Sequence, residues 1–95
     1  TSYRSGAKMT IRFTGSSFYF LATTGRYQGR VRITIDGVSH TVDQGYYAGR
    51  RETGSHYRVV VFSKFLANKA HTVVLTNLGT SGRPTISVDA VAWRN

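Results

Sequence analysis

The chain has 95 residues, with thirteen Lys and Arg against four Asp and Glu, for a net charge of +9. That length builds one domain around one modest core, and 40% hydrophobic with 13% aromatic content excludes a disordered chain. With no cysteine there is no disulfide framework or thiol chemistry, and the longest apolar runs, FYFLA and VVVF, fall far short of the ~18 residues of a membrane-spanning helix.

Lys8 to Phe13 alternates, with Met9, Ile11 and Phe13 on one side and Lys8, Thr10 and Arg12 on the other, which predicts a strand. Thr14-Gly15-Ser16 is a turn signal, and Phe18 to Ala22 is a short apolar strand expected to be buried on both faces. Thr23 to Gly29 is a loop punctuated by Gly25 and Gly29. RVRITIDGVSHTVD, residues 30–43, then reads as a hairpin. Asp36-Gly37 supplies the two positive-φ residues of a primed turn. That turn sets Ile35 opposite Val38, Ile33 opposite His40, Val31 opposite Val42 and Arg30 opposite Asp43. The first six share one face, and a slip of one residue would exchange the faces, so the pattern fixes the register. The outer face is expected to be modestly basic and partly self-paired.

Residues 44–56, QGYYAGRRETGSH, have no apolar period and predict a long loop. Tyr57 to Ser63 is a strand, Lys64 to Ala70 a connection, His71 to Leu78 a strand, Leu78 to Pro84 a turn cluster and Thr85 to Trp93 the last strand. In that last strand Ile86, Val88, Ala90 and Ala92 are expected on one side. No segment has a 3.6-residue period over ten residues, and FSKFLANKA makes one helical turn at most. About seven short strands separated by turn signals imply an all-β sandwich or barrel. There is no internal repeat, low-complexity tract or linker. No signal peptide is visible, and the start at Thr1-Ser2-Tyr3 fits a processed chain or a piece excised from a longer protein.

Phe13-Thr14-Gly15, the Gly29 to Gly37 segment with its V-x-I-x-I-D-G pattern, His71 to Thr76 (HTVVLT) and Val88 to Val91 (VDAV) occur in an order that resembles the galactose-binding-like jelly-roll modules appended to secreted bacterial enzymes and surface proteins. The resemblance covers nearly the whole chain, although such modules usually carry an extra strand ahead of the first one here. It implies an all-β, antiparallel jelly-roll β-sandwich, an extracellular or cell-surface location, neighbouring domains in a longer chain, and a structural role for Asp89 in satisfying nearby backbone or hydroxyl groups. It says less about function, because such sandwiches host sugar-binding, adhesive and structural modules alike.

Strand direction places a site without help from the family. If Asp36-Gly37 turns at one end of the sandwich, the segments entering Arg30 and leaving Asp43 meet at the other, so residues 23–29 and 44–56 are neighbours. They bring Arg26, Tyr27, Tyr46, Tyr47, Arg50, Arg51 and His56 together, and the 79–84 turn with Arg83 is a candidate to join them. Tyrosines stack on sugar rings and still donate a hydrogen bond. Arginines offer planar forks to carboxylates, sulfates and phosphates. The competing reading has Tyr46 and Tyr47 closing the end of the core while Arg50 and Arg51 are only solvated. Trp93 is read as a packing residue, and His40 as a core or rim histidine with one hydrogen bond.

Catalysis finds little support. Glycoside chemistry needs two carboxylates flanking one bond. Asp36 belongs to a turn, Asp43 has an arginine partner, Asp89 lies in a strand, and Glu52 is left single. There is no nucleophile elbow, phosphate loop or zinc motif, no histidine spacing for a metal and no acidic cluster for calcium. The expected function is a non-catalytic glycan-binding module without cofactor or metal, its +9 charge favouring acidic or cell-wall polymers. A structural or docking module is the second reading, and a basic nucleic-acid-binding domain, which lacks a recognisable motif, is the last.

Overall fold

The computed structural model describes residues 2–3, 6–83 and 85–94; Pro84, the end of the expected 78–84 turn, lies outside them. The strands are β1 (Ser2–Tyr3), β2 (Lys8–Gly25), β3 (Arg30–Ile35), β4 (Val38–Asp43), β5 (Tyr46–Tyr47), β6 (Arg50–Arg51), β7 (Ser55–Asn77), β8 (Ile86–Ser87) and β9 (Ala90–Arg94). The main sheet runs β4-β3-β7-β2-β9, with β1-β8 and β5-β6 as small two-stranded additions. Every pair of these strands is antiparallel.

The four strands expected at 8–13, 18–22, 57–63 and 71–78 are two long ones. The Thr14-Gly15-Ser16 signal and the Lys64 to Ala70 connection lie opposite each other, with Thr14 paired to Ala70, Gly15 to Lys69 and Ser17 to Phe65. Together they form a corner in a continuous two-stranded ribbon, and neither reverses the chain. Across it, Leu66, Ala67 and Asn68 face Ser16 alone, and further register shifts follow at Phe20/Leu21 and Ala22/Thr24. Such bulges bend a strand and re-aim its side chains. Before the corner Met9, Ile11 and Phe13 face the core; after it Phe18, Phe20 and Ala22 do.

The corner divides the ribbon into two layers. One consists of β4, β3, the end of β7 and the start of β2; the other of the start of β7, the end of β2, and β9. Val31, Ile33, Ile35, Val73 and Leu75 from the first meet Phe18, Phe20 and Ala22 from the second, with Ile86 and Val88 closing the cluster. This is an all-β antiparallel sandwich of the expected jelly-roll class. The stretch 18–22 is buried on one face only, since Tyr19 and Leu21 are partly exposed.

The hairpin forms in the expected register, with Asp36 and Gly37 at φ 49° and 86°. Arg30 reaches Asp43 at 3.4 Å. Burial fades on β4 because it is the sheet edge: Val38 is exposed while His40 and Val42 are half-buried. His40 packs on Phe62, with 5.2 Å between ring centroids, and its buried Nε2 finds no hydrogen-bond partner among the described residues.

The last segment is not one strand. It breaks at Val88-Asp89, where the Asp89 N–H donates to the Leu21 carbonyl, and the side-chain parity changes. Val91 pairs with Phe20 and Trp93 with Phe18, on the inner side, whereas Ala90 and Ala92 pair with Leu21 and Tyr19 on the outer side. Trp93 stacks on Phe13 at 5.4 Å, and Phe13 on Phe18 at 5.6 Å. One face of the indole therefore packs, although the residue remains 45% exposed.

A buried histidine joins the corner to the hairpin tip. His71, its side chain 3% exposed, directs Nδ1 at the Asp36 carboxylate and Nε2 at the Ala67 carbonyl. Both acceptors are satisfied when both ring nitrogens carry protons. The hydrogen bond to Asp36 and that to Ala67 accordingly raise the His71 pKa above 6.5, while the bonds from His71 and the Thr72 N–H lower that of Asp36 below 3.8. A raised histidine stabilises fully below its unfolded value and loses that contribution as pH climbs through its folded value. A lowered aspartate loses its contribution as pH falls through its folded value. The link is therefore complete between the two unfolded values. In urea titrations from pH 5 to 9, the wild type is expected to lose stability above pH 6.5 and the variant His71→Gln to show a flatter profile. Equal slopes in the two proteins would contradict the pairing.

Candidate functional site at the loop end of the sandwich

The two loops meet as strand direction requires. The Gly25 N–H donates to the Gln44 carbonyl (2.9 Å), the Gln44 N–H to Gly29 (3.0 Å) and the Arg26 N–H to Gly54 (3.3 Å). The third loop joins them, since the Gly29 N–H donates to the Thr85 carbonyl at 2.8 Å. A β-carbon on Gly29 would lie 2.3 Å from the Arg83 carbonyl, and one on Gly45 would lie 2.0 Å from Arg83 Nη1. These two glycines allow three chain segments to touch.

Two arginines hold the arrangement from within. Arg83 is bidentate on Asp43, Nη1 to Oδ1 at 2.7 Å and Nη2 to Oδ2 at 3.2 Å, and Nη1 also donates to the Gln28 carbonyl at 3.1 Å. Arg51 donates to the carbonyls of Gly45 (2.9 Å), Glu52 (3.3 Å) and Arg26 (2.8 Å). Gln44, fully buried, pairs its side-chain amide with both main-chain groups of Ser87, at 2.9 and 2.8 Å. Residues 44–56 are thus less of a loop than expected: β5 and β6 form a miniature hairpin whose turn, Ala48-Gly49, has φ of 51° and 80°.

Around these clamps lies an open groove of about 590 Å³, lined by Arg26 and Tyr27, by Arg51, Glu52 and Thr53, and by Ser81, Gly82 and Arg83. Of the residues expected at this end, Arg26, Tyr27 and Arg51 line it. Tyr46, Tyr47 and Arg50 project from the β5–β6 hairpin, exposed, and are not among its lining. Tyr47 lies flat on the His56 ring, at 3.6 Å and 5°. His56 in turn donates from Nδ1 to Glu52 at 2.8 Å, and Glu52 also accepts from Thr24 Oγ1 at 2.7 Å. Tyr27 is the open aromatic of the groove, 66% exposed, with the Arg26 guanidinium 4.8 Å from its ring centroid. The groove therefore offers one aromatic face, two cations not committed to a carboxylate, Arg26 and Arg51, of which Arg51 is already bonded to main-chain carbonyls, and the hydroxyls of Thr53 and Ser81.

All four carboxylates of the chain accept hydrogen bonds. Glu52 is held below its ordinary pKa by the bond from His56, with Thr24 adding to it against the cost of burial. For Asp43 burial pushes upward, but the bonds from Arg83 and the Gly45 N–H outweigh it. Asp89 balances burial against bonds from Thr23, Ser87 and the Arg58 N–H, and its pKa is also lowered. Its partners, Thr23 Oγ1 at 2.9 Å, Ser87 Oγ at 3.0 Å and the Arg58 N–H at 3.2 Å, are the hydroxyl and backbone groups that the family resemblance implies. Among the described residues, no three His, Asp or Glu side chains come together as a metal site.

Sequence reasoning passed over Gln44, Ser81 and the structural use of Arg51. Nothing local marks a buried glutamine in QGYYAGRR. The glycines at 29 and 45 were the available signal of close approach.

The fold and groove define a jelly-roll sandwich with a loop-end cleft. No protein-family model matches the chain, and no curated protein sequence does. Two solved structures share the fold. An active-site mutant of a family two carbohydrate esterase from Clostridium thermocellum superposes with a TM-score of 0.59 at 15% identity over 97% of this chain. A family two carbohydrate esterase from the same organism, in complex with cellohexaose, gives 0.57 at 17% identity over 95%. This chain spans 26% and 25% of those proteins, so the likeness concerns the sandwich alone.

Proposed function

We propose that this chain is a non-catalytic carbohydrate-binding module of a secreted or surface protein, and that its glycan site is the loop-end groove. The observation that carries the reading is Tyr27: a widely exposed aromatic at a groove whose walls are held by buried or partly buried hydrogen bonds. Such pre-formed sites with a few convergent polar groups are where ligands bind. Tyr27 stacks on a sugar ring, Arg26 donates to a sugar carboxylate or hydroxyl, and Tyr46 and Arg50 extend the surface toward β5–β6. Arg51 and Tyr47 position the walls. Similarity of fold to a protein solved with cellohexaose supports a glycan as ligand.

The test is retention on a panel of neutral and acidic bacterial polysaccharides at low and high salt. Tyr27→Ala is expected to weaken binding to the retained polymer about tenfold, since stacking contributes ~1 kcal/mol or more, without altering the circular dichroism spectrum. Unchanged retention after this substitution sinks the groove as the site. Retention lost at high salt for every polymer, with single-stranded DNA bound equally well, would favour the nucleic-acid reading.

One observation favours a docking module as the second reading. Phe65 is 86% exposed on β7, beside Tyr19. Concentration-dependent sedimentation abolished by Phe65→Ser would support it.

A further inference from the structure

The first layer turns an unusually uniform face to solvent. Its strand register sets Thr41, Arg32, Thr76 and Lys8 side by side across β4, β3, β7 and β2. In the next row Thr34 and Thr10 flank Val74, and one row further along β2 lies Arg12, beside Thr72. The residues that alternate with these, Val31, Ile33, Val73 and Leu75, are buried, so the hydroxyls and cations point outward.

The two nearest acids are already bonded. Asp36 accepts from His71 and the Thr72 N–H, and Asp43 accepts from Arg30 and Arg83. Lys8, Arg12 and Arg32 form no ion pair among the described residues. Strands lie ~4.8 Å apart and rise ~3.3 Å per residue, so Arg32 and Lys8 are about 10 Å apart and Lys8 and Arg12 about 13 Å. Both spacings exceed the ~8 Å screening length at physiological salt, so the three cations repel one another little, and each is free to take its own anionic group from one extended chain.

We propose that this face is a second binding surface, independent of the groove, for a linear acidic polysaccharide laid along the sheet. The three cations meet the carboxylates or sulfates of the polymer, and the threonines between them hydrogen-bond to its sugar hydroxyls. The rows carry no aromatic side chain on which a base could stack, which favours a polysaccharide over a nucleic acid.

The probe is polygalacturonate, with single-stranded DNA in parallel, measured by affinity electrophoresis of the whole chain at 0.15 M salt. Lys8→Gln/Arg12→Gln/Arg32→Gln is expected to weaken polygalacturonate binding roughly tenfold, the product of three modest exposed charge contacts. Arg58→Gln/Lys64→Gln/Arg94→Gln removes the same charge from other exposed positions and is expected to change binding less than about twofold, within the small effect of exposed charges. Thr10→Val/Thr41→Val, with no charge change, is expected to cost about threefold through lost hydrogen bonds. Equal losses in the two triple variants, DNA bound as tightly as polygalacturonate, or no binding by the wild type would each overturn the proposal. So would abolition of polygalacturonate binding by Tyr27→Ala with the face variant unaffected, an outcome that assigns the polymer to the groove. A Tyr27→Ala variant that retains polygalacturonate supports the proposal and leaves the groove to be judged on the other glycans.

Discussion

Phe20→Ala is expected to destabilise the protein by about 3–5 kcal/mol, the cost of truncating a buried phenylalanine whose site collapses only in part. Phe20 is fully buried on the central strand of the second layer, paired to Phe62 on one side and Val91 on the other. Its loss would open the core where both layers meet. A domain of this size has ~5–15 kcal/mol of stability in all, so a large part of the molecules would unfold on mild heating. Urea denaturation followed by Trp93 fluorescence, the indole being stacked on Phe13, should show a lower midpoint with an unchanged slope. Phe20→Leu keeps most of the volume and is expected to cost less than about 1.5 kcal/mol. An alanine variant that lost under ~1 kcal/mol would place Phe20 outside the core.

Gln44→Ala is expected to cost about 2–5 kcal/mol, for a different reason. The Gln44 amide stands in for a strand, giving the Ser87 carbonyl a donor and the Ser87 N–H an acceptor, both in a buried setting. Truncation leaves two main-chain groups without partners, each at ~1–3 kcal/mol. Gln44→Met fills nearly the same space and should show nearly the same loss, which separates the hydrogen bonds from the packing. Hydrogen exchange of the Ser87 amide should accelerate in both variants. Unchanged protection would mean that another group satisfies it.

The sequence carried the hairpin because every signal there is local. Asp36-Gly37 tolerates the two positive φ angles, alternation fixes which side is inner, and Arg30 opposite Asp43 follows from counting. The neighbourhood of residues 23–29 and 44–56 was also legible, since antiparallel direction alone brings those segments to one end. The outer face of the first layer was equally present in the alternation of Lys8, Thr10 and Arg12 and of Arg32 and Thr34. Only the pairing of β2 with β7 and of β7 with β3 shows that these residues form one surface.

Elsewhere local signals misled. Glycine and serine at 14–16 read as a turn because a bulged corner and a chain reversal need the same small, adaptable residues. Continuity of β2 through that corner depends on two extra residues of β7, about fifty positions later in the chain. The strand expected at 85–93 breaks because Asp89 finds Thr23, Ser87 and the Arg58 N–H, partners known only once the strands are placed.

The sequence by itself determined the fold class, the hairpin register and the end of the sandwich where the loops gather, because these follow from turn chemistry, alternation and chain direction. Tertiary structure alone decided which side chains at that end are free. A long arginine goes to whichever carbonyl or carboxylate the fold sets within reach, and so Arg51 and Arg83 became clamps. Tyr47 found His56 to stack on, and Tyr27 was left facing the groove.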